Sequence, residues 1–119
     1  MIGQVHSVVI DAPDPYALAS FYATLLGMEV KGEPGDDWVT ITGAGYRFSF
    51  QEAPGLVPPD WPNPERPQQF HLDVYVADVD EAEPRVLERG ARRLPGGGGD
   101  FRVYADPVGH PFCLVWDAA

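Results

Sequence analysis

At 119 residues, with 45% hydrophobic and 22% charged residues, the chain suits one globular domain that buries roughly two thirds of its unfolded surface. Eighteen acidic against eight basic residues leave a net charge of -10, a surface that repels a phosphate backbone and excludes nucleic acid as a partner. No apolar run approaches the roughly 20 residues of a bilayer crossing, no basic-then-apolar leader opens the chain, and one cysteine cannot close an internal disulfide, so the expectation is a cytoplasmic protein without membrane association.

The run "QVHSVVI" is rich in β-branched residues and predicts a first strand from Gln4 to Ile10. Asp14 then offers a helix N-cap and Pro15 a first-turn residue, while Leu18, Phe21, Tyr22, Leu25 and Leu26 share one apolar stripe. Gly27 stands where a left-handed residue ends a helix. Strands are predicted near Met28 to Lys31, Trp38 to Thr42 and Tyr46 to Gln51, with "PGD" and "GAG" as turns between them. Prolines at 54, 58, 59, 62, 64 and 67 predict a semi-rigid, extended strap over 53–67. Trp61, in its middle, is either an anchor or a stacking platform for a ligand.

Beyond the strap, a strand over Gln69 to Val76 leads to a helix opened by Asp78 or Asp80, with Pro84 expected in its first turn. Arg85 and Arg89 suit the negative end of its dipole, and Gly90 stops it. Strands near Ala91 to Leu94, Phe101 to Ala105 and Phe112 to Trp116 complete the chain, and "GGGG" at 96 to 99 reads as a flexible connector.

The order strand, helix, three strands therefore occurs twice. His6 answers His71, Gly27 answers Gly90, Gly45 answers Gly109 and Ser49 answers Cys113, at offsets of 63 to 65 residues. The shared spacing, more than the identities, marks an internal duplication. The predicted fold class is α+β, a single domain of two tandem βαβββ modules, about 1–52 and 68–119, joined by the strap.

Side chains alternate along a strand, so parity decides which residues share a face. Leu72, Val74 and Val76 make the helix-facing side of the fifth strand, leaving His71, Asp73 and Tyr75 opposite. Phe112, Leu114 and Trp116 likewise leave Cys113 and Val115 opposite, and Phe48 and Phe50 leave Ser49 and Gln51 opposite. The match with His71 assigns His6 to that same face in the first strand, together with Val8 and Ile10. If the modules pair edge to edge about a pseudo-twofold axis, His6, His71, Ser49 and Cys113 converge on one cavity.

Through "VHSVVIDAPDPYALASFYATLLGMEV", "FHLDVYVADVDEAEPRVLERGA" and "VYADPVGHPFCLV", the chain resembles the vicinal oxygen chelate superfamily of glyoxalase I, bleomycin-resistance proteins and extradiol dioxygenases. The "PPDWP" strap and the ending "DPVGHPFCLV" bring it nearest to the glyoxalase-like proteins. The resemblance implies a curved, cupped mixed sheet with the helices on its outer face, and a homodimer whose cavity is built within one chain or across two. In metal-dependent members the four converging positions hold two His or Gln and two Glu. His6 and His71 fit, whereas Ser49 and Cys113 stand where the glutamates belong. A hard divalent ion thus lacks its carboxylate oxygens.

Two functions lead, ahead of a third, a partner-binding module whose cavity is vestigial. One is a binding protein of the drug-sequestering type, holding a small hydrophobic, aromatic or cationic molecule against Val8, Ile10, Ser49, Gln51, Trp61, Tyr75, Cys113 and Val115. The other is an enzyme of the lyase or isomerase kind. It would use zinc on His6, His71 and Cys113, with Gln51 or Asp73 as a further donor, or work without metal through His71 as general base oriented by Asp73. Cys113 is read first as a small apolar wall residue, and His110 as part of a turn.

Overall fold

The computed structural model describes residues 1–117. The chain order is β1 (Val8–Ala12), α1 (Pro15–Leu26), β2 (Glu29–Lys31), β3 (Trp38–Gly43), β4 (Tyr46–Glu52), β5 (Leu72–Tyr75), α2 (Val79–Glu88), β6 (Arg92–Gly97), β7 (Phe101–Ala105) and β8 (Pro111–Val115). Two compact units divide after Leu56, inside the proline-rich segment. Each holds one four-stranded mixed sheet, in the orders β1-β4-β3-β2 and β5-β8-β7-β6. In both, the first strand runs parallel to the fourth and the remaining pairs are antiparallel, as a duplicated βαβββ module requires. Among the described residues no helix is long and apolar enough to cross a membrane.

In the first unit the Asp14 carboxylate accepts the Ala17 N–H at 3.2 Å, satisfying a helix-end donor. Pro15 occupies the first turn, and Gly27 closes the helix at φ 67° and ψ 36°, a left-handed geometry that costs glycine little. The stripe then buries Leu18, Phe21 and Tyr22 against β3 and β4. Tyr22 stacks on Phe50 at 5.8 Å and meets Phe21 edge-on at 5.0 Å. Val39, Ile41 and Phe50 are fully buried beneath them, and large apolar side chains so placed each contribute roughly 1.5–3 kcal/mol.

In the second unit Asp78 caps α2, accepting from Asp80 N and Glu81 N at 3.0 and 3.2 Å. Because the cap is Asp78, Pro84 falls inside the helix and not in its first turn, and its ring denies the Asp80 carbonyl an intrahelical donor. A polar clamp holds the helix to its sheet instead. Glu83 accepts from Arg93 at 2.8 Å, the Tyr104 hydroxyl at 2.9 Å and Arg102 at 3.1 Å, while Arg102 also meets Asp80 at 3.0 Å. Burial alone would raise the Glu83 carboxyl, but the Tyr104 hydroxyl and the two arginines together hold it below the usual range. The Tyr104 hydroxyl is pushed up to about 12, chiefly by burial and then by Glu83.

Three local expectations are corrected. The segment predicted to be extended folds back on itself, Asp60 N bonding Arg66 O and Asn63 N bonding Asp60 O, because its few non-proline N–H groups find carbonyl partners within the segment. Gly96 and Gly97 are not connector but the end of β6, where a register shift follows Arg93 and φ values of 102° and 126° suit only glycine. The first strand starts at Val8, so His6 precedes it, and β5 starts at Leu72, one residue after His71. Gly109 is required on two counts: its φ is 112°, and a Cβ there would lie 2.8 Å from Cβ of Pro58.

Candidate functional site

Strand register builds the site. Asp73 pairs with Cys113 across β5 and β8, and Val103 pairs with Cys113 across β7 and β8, so these three side chains lie abreast on one face of the second sheet. Phe112 and Tyr104, stacked at 5.5 Å, occupy the face that meets α2. Trp61 packs over the cluster of Leu94, Val103, Ala105 and Cys113, joined by Val115. Its indole N–H donates to the Pro95 carbonyl at 3.0 Å, so the Trp61 ring is both anchor and wall.

Between these groups lies a cavity of about 410 Å³. Trp61, Phe101, Val103, Val115 and Trp116 give it apolar walls, and Gln68, His71, Asp73 and Asp100 give it a polar side, with Cys113 at the base. Its size and lining match small-molecule sites, which run from ~300 to 1,000 Å³ and are mostly apolar with a few placed polar groups. No lysine or arginine is among its lining residues.

The polar side is ordered. His71 Nε2 lies 3.1 Å from Asp73 Oδ1, a contact that selects the tautomer carrying its proton on Nε2. Cys113 is only 7% exposed, and its thiol is pushed up to about 11, by burial first and then by the charge and hydrogen bond of Asp73. It remains protonated at neutral pH and is no ready nucleophile. Donor atoms of His71, Asp73 and Cys113 all lie within 4.8 Å of one another, an imidazole, a carboxylate and a thiol that together could hold a metal ion. Gln68 Oε1 is cut off from water and has no donor, a state that costs about 1–3 kcal/mol until something supplies one.

The first unit fills the matching position differently. Ser49 is 2% exposed, and its hydroxyl bonds that of Thr40 at 2.9 Å. Register overturns the assignment of Val8 and Ile10 to its face, since Val8 pairs with Phe48 and Ile10 with Phe50, while Val9 pairs with Ser49. It also overturns the match of His6 with His71. Val8 and Leu72 both take the phenylalanine before residue 49 or 113 as partner, an offset of 64, so His71 corresponds to Ser7 and His6 to Phe70. A slip of one residue moves a strand side chain to the opposite face. His6 is exposed, with Nδ1 3.2 Å from the Ser7 hydroxyl, in a polar hollow it shares with Thr42, Tyr46 and Arg47. Gln51 lines a separate shallow hollow with Asp37, Trp38 and Glu52. Tyr75 is exposed, and its hydroxyl donates to Asp117 at 3.0 Å, which raises its pKa. His110 closes a turn as expected, its N–H donating to the buried Asp106 carboxylate at 3.0 Å alongside those of Val108 and Gly109.

Thus Trp61, His71, Asp73, Cys113 and Val115 gather at one cavity. Gln68, Asp100, Phe101 and Val103 join them without having been singled out from the sequence, and Trp116, expected on the helix-facing side with Phe112 and Leu114, lines the cavity instead, since β8 ends at Val115 and the alternation ends with it. Parity across the β7–β8 hairpin would have found Phe101 and Val103, which share the Cys113 face. Gln68 and Asp100 lie outside the strands and carry no such periodic signal.

The glyoxalase-like domain model matches residues 7–115. A search of curated protein sequences gave no match. Among solved structures, the chain is similar to a glyoxalase/bleomycin resistance protein/dioxygenase family enzyme from Burkholderia phytofirmans, with TM-score 0.71 and 16% identity over 96% of this chain and 98% of that one. It is also similar to a glyoxalase family protein from Enterococcus faecalis, with TM-score 0.68 and 22% identity over 96% and 98% of the two chains. The genomically encoded fosfomycin resistance protein FosX of Listeria monocytogenes gives TM-score 0.68 and 17% identity over 98% and 95%. These identities speak for the fold, two mixed sheets with two helices. With the family model spanning nearly all of both modules, the chain belongs to the glyoxalase-like domain family.

Proposed function

We propose that the chain binds a small, largely apolar molecule in the cavity of its second unit and holds it unaltered. One observation carries this reading: a cavity of about 410 Å³ walled by Trp61, Phe101 and Trp116, at whose base a protonated thiol takes the place of a reactive group. The test is a panel of hydrophobic cations and planar drugs, followed by tryptophan fluorescence and by melting temperature. A ligand at a hundred times its Kd stabilises by about 2.7 kcal/mol, readily seen as a shift in Tm. Silence across the panel rejects the proposal.

A second reading is favoured by the convergence of His71, Asp73 and Cys113. These three would hold zinc, leaving a fourth position for water or substrate, and the bound ion would supply a Lewis acid for lyase or isomerase chemistry. The ion must displace the Cys113 proton, so its affinity would climb steeply with pH. Titration with cobalt(II) tests this. A thiolate charge-transfer band at one equivalent, lost in Cys113→Ser and His71→Ala, supports the site, and its absence in the unsubstituted protein rejects it. Without metal, His71 oriented by Asp73 would remain as a general base.

A further inference from the structure

We infer that the cavity selects a protonated amine carried on a planar apolar body, and discriminates against neutral and anionic molecules of the same shape. This rests on the cavity being a binding site and names the class of molecule it takes. Four observations support it. The ionisable groups of the lining are Asp73, Asp100, His71 and Cys113, with no lysine or arginine to balance the two carboxylates. An anion entering this space meets like charge, whereas an ammonium meets opposite charge. The Arg102 guanidinium, 5.7 Å from the Trp116 ring, is already committed to Asp80 and Glu83.

The second observation is the acceptor excess. Gln68 Oε1 is buried without a donor, and the two carboxylates can only accept, so the missing partner is a group rich in N–H. Third, the indole of Trp61, pinned by its bond to the Pro95 carbonyl, lines the same cavity as those acceptors, and tryptophan is the ring that best receives a cation. Fourth, the volume lies near the lower end of the range for small-molecule sites, suited to a body of about two fused rings. Charge, hydrogen-bond sense and shape therefore agree on one chemistry. The carboxylates carry the discrimination, and the aromatic walls carry affinity that is indifferent to charge.

A matched series separates the two contributions: 2-naphthylmethylammonium, 2-naphthylmethanol and 2-naphthoate, titrated calorimetrically into the intact chain and into Asp73→Asn, Asp100→Asn and Gln68→Leu. The ammonium is expected to bind about tenfold or more tighter than the alcohol, with naphthoate weakest. Each Asn variant should weaken the ammonium by about fivefold or more and leave the alcohol within about twofold, the alcohol also serving as the control for folding. Gln68→Leu should weaken the ammonium and tighten the alcohol. Equal affinity for ammonium and alcohol, a preference for naphthoate, or Asn variants that weaken all three alike would overturn the inference while leaving the cavity as a binding site. Binding of none of the three would overturn the cavity reading itself, and this inference with it.

Discussion

Replacing Trp61 with alanine removes the cover from the Cys113 face of the second sheet and the tether to Pro95 in one step. A fully buried aromatic cut back to alanine costs about 3–5 kcal/mol, and Trp61 is only partly buried against Leu94, Val103, Ala105 and Cys113, so roughly half of that applies. The lost indole bond of 3.0 Å adds about 1 kcal/mol, and no more, because Pro95 is exposed and its carbonyl can turn to water. The expected total is about 2.5–3.5 kcal/mol, a fall in Tm of roughly 10 °C for a chain of this size. Urea titration followed by far-ultraviolet circular dichroism measures it without relying on the deleted fluorophore. Trp61→Phe should lose only about 1 kcal/mol, since it keeps a ring but not the donor. The thiol of Cys113 should also react faster with a disulfide reagent in Trp61→Ala. A variant within about 0.5 kcal/mol of the unsubstituted protein, with an unchanged thiol, would refute the idea that Trp61 anchors this segment and roofs the cavity.

Thiolate absorbance at Cys113 should rise with a midpoint near pH 11, and a midpoint near the ordinary value of 9.0 would show that the base of the cavity is wetter than described. The same shift carries a sign for stability: the unfolded chain gives up its thiol proton at lower pH, so the folded state loses ground between about pH 9 and 11, and Cys113→Ala should flatten that decline. Glu83→Gln should cost about 1–2 kcal/mol at neutral pH by weakening the clamp on Tyr104, Arg93 and Arg102. Because the folded Glu83 carboxyl sits below its ordinary value, its contribution is present above about pH 4.5 and fades as pH falls through the folded value. Melting curves of the two proteins should therefore converge in acid, and a constant gap across pH would contradict the clamp.

Local chemistry was legible wherever it is short-range. Asp14, Pro15 and Gly27 announced the first helix because caps and stops act within a few residues, whereas the second left Asp78 and Asp80 as rival caps and only the structure chose Asp78. Parity across β5 and β8 placed His71, Asp73 and Cys113 on one face, since their alternation with Leu72, Phe112 and Leu114 is unbroken. In the first strand the same reasoning failed. His6 and His71 were matched by identity at an offset of 65, one more than the register of 64, and a period of two turns that single residue into the wrong face. Val5, Val8 and Val9 offered no contrast between faces to prevent the slip. The strap hid its turn because prolines mark where donors are missing, not where the remaining donors of Asp60, Asn63 and Arg66 find carbonyls. Gln68 and Asp100 reach the cavity through tertiary placement alone, which no periodicity records.

The indole N–H signals of the three tryptophans put the central claim to its most direct test. Trp61 and Trp116 line the cavity, whereas Trp38 belongs to a separate hollow of the first unit. Adding 2-naphthylmethanol to isotope-labelled protein should move the Trp61 and Trp116 signals together and saturably, at one molecule per chain, and leave Trp38 in place. If only Trp38 shifts, or if all three stay still at millimolar ligand, the cavity of the second unit is not where this chain binds small molecules.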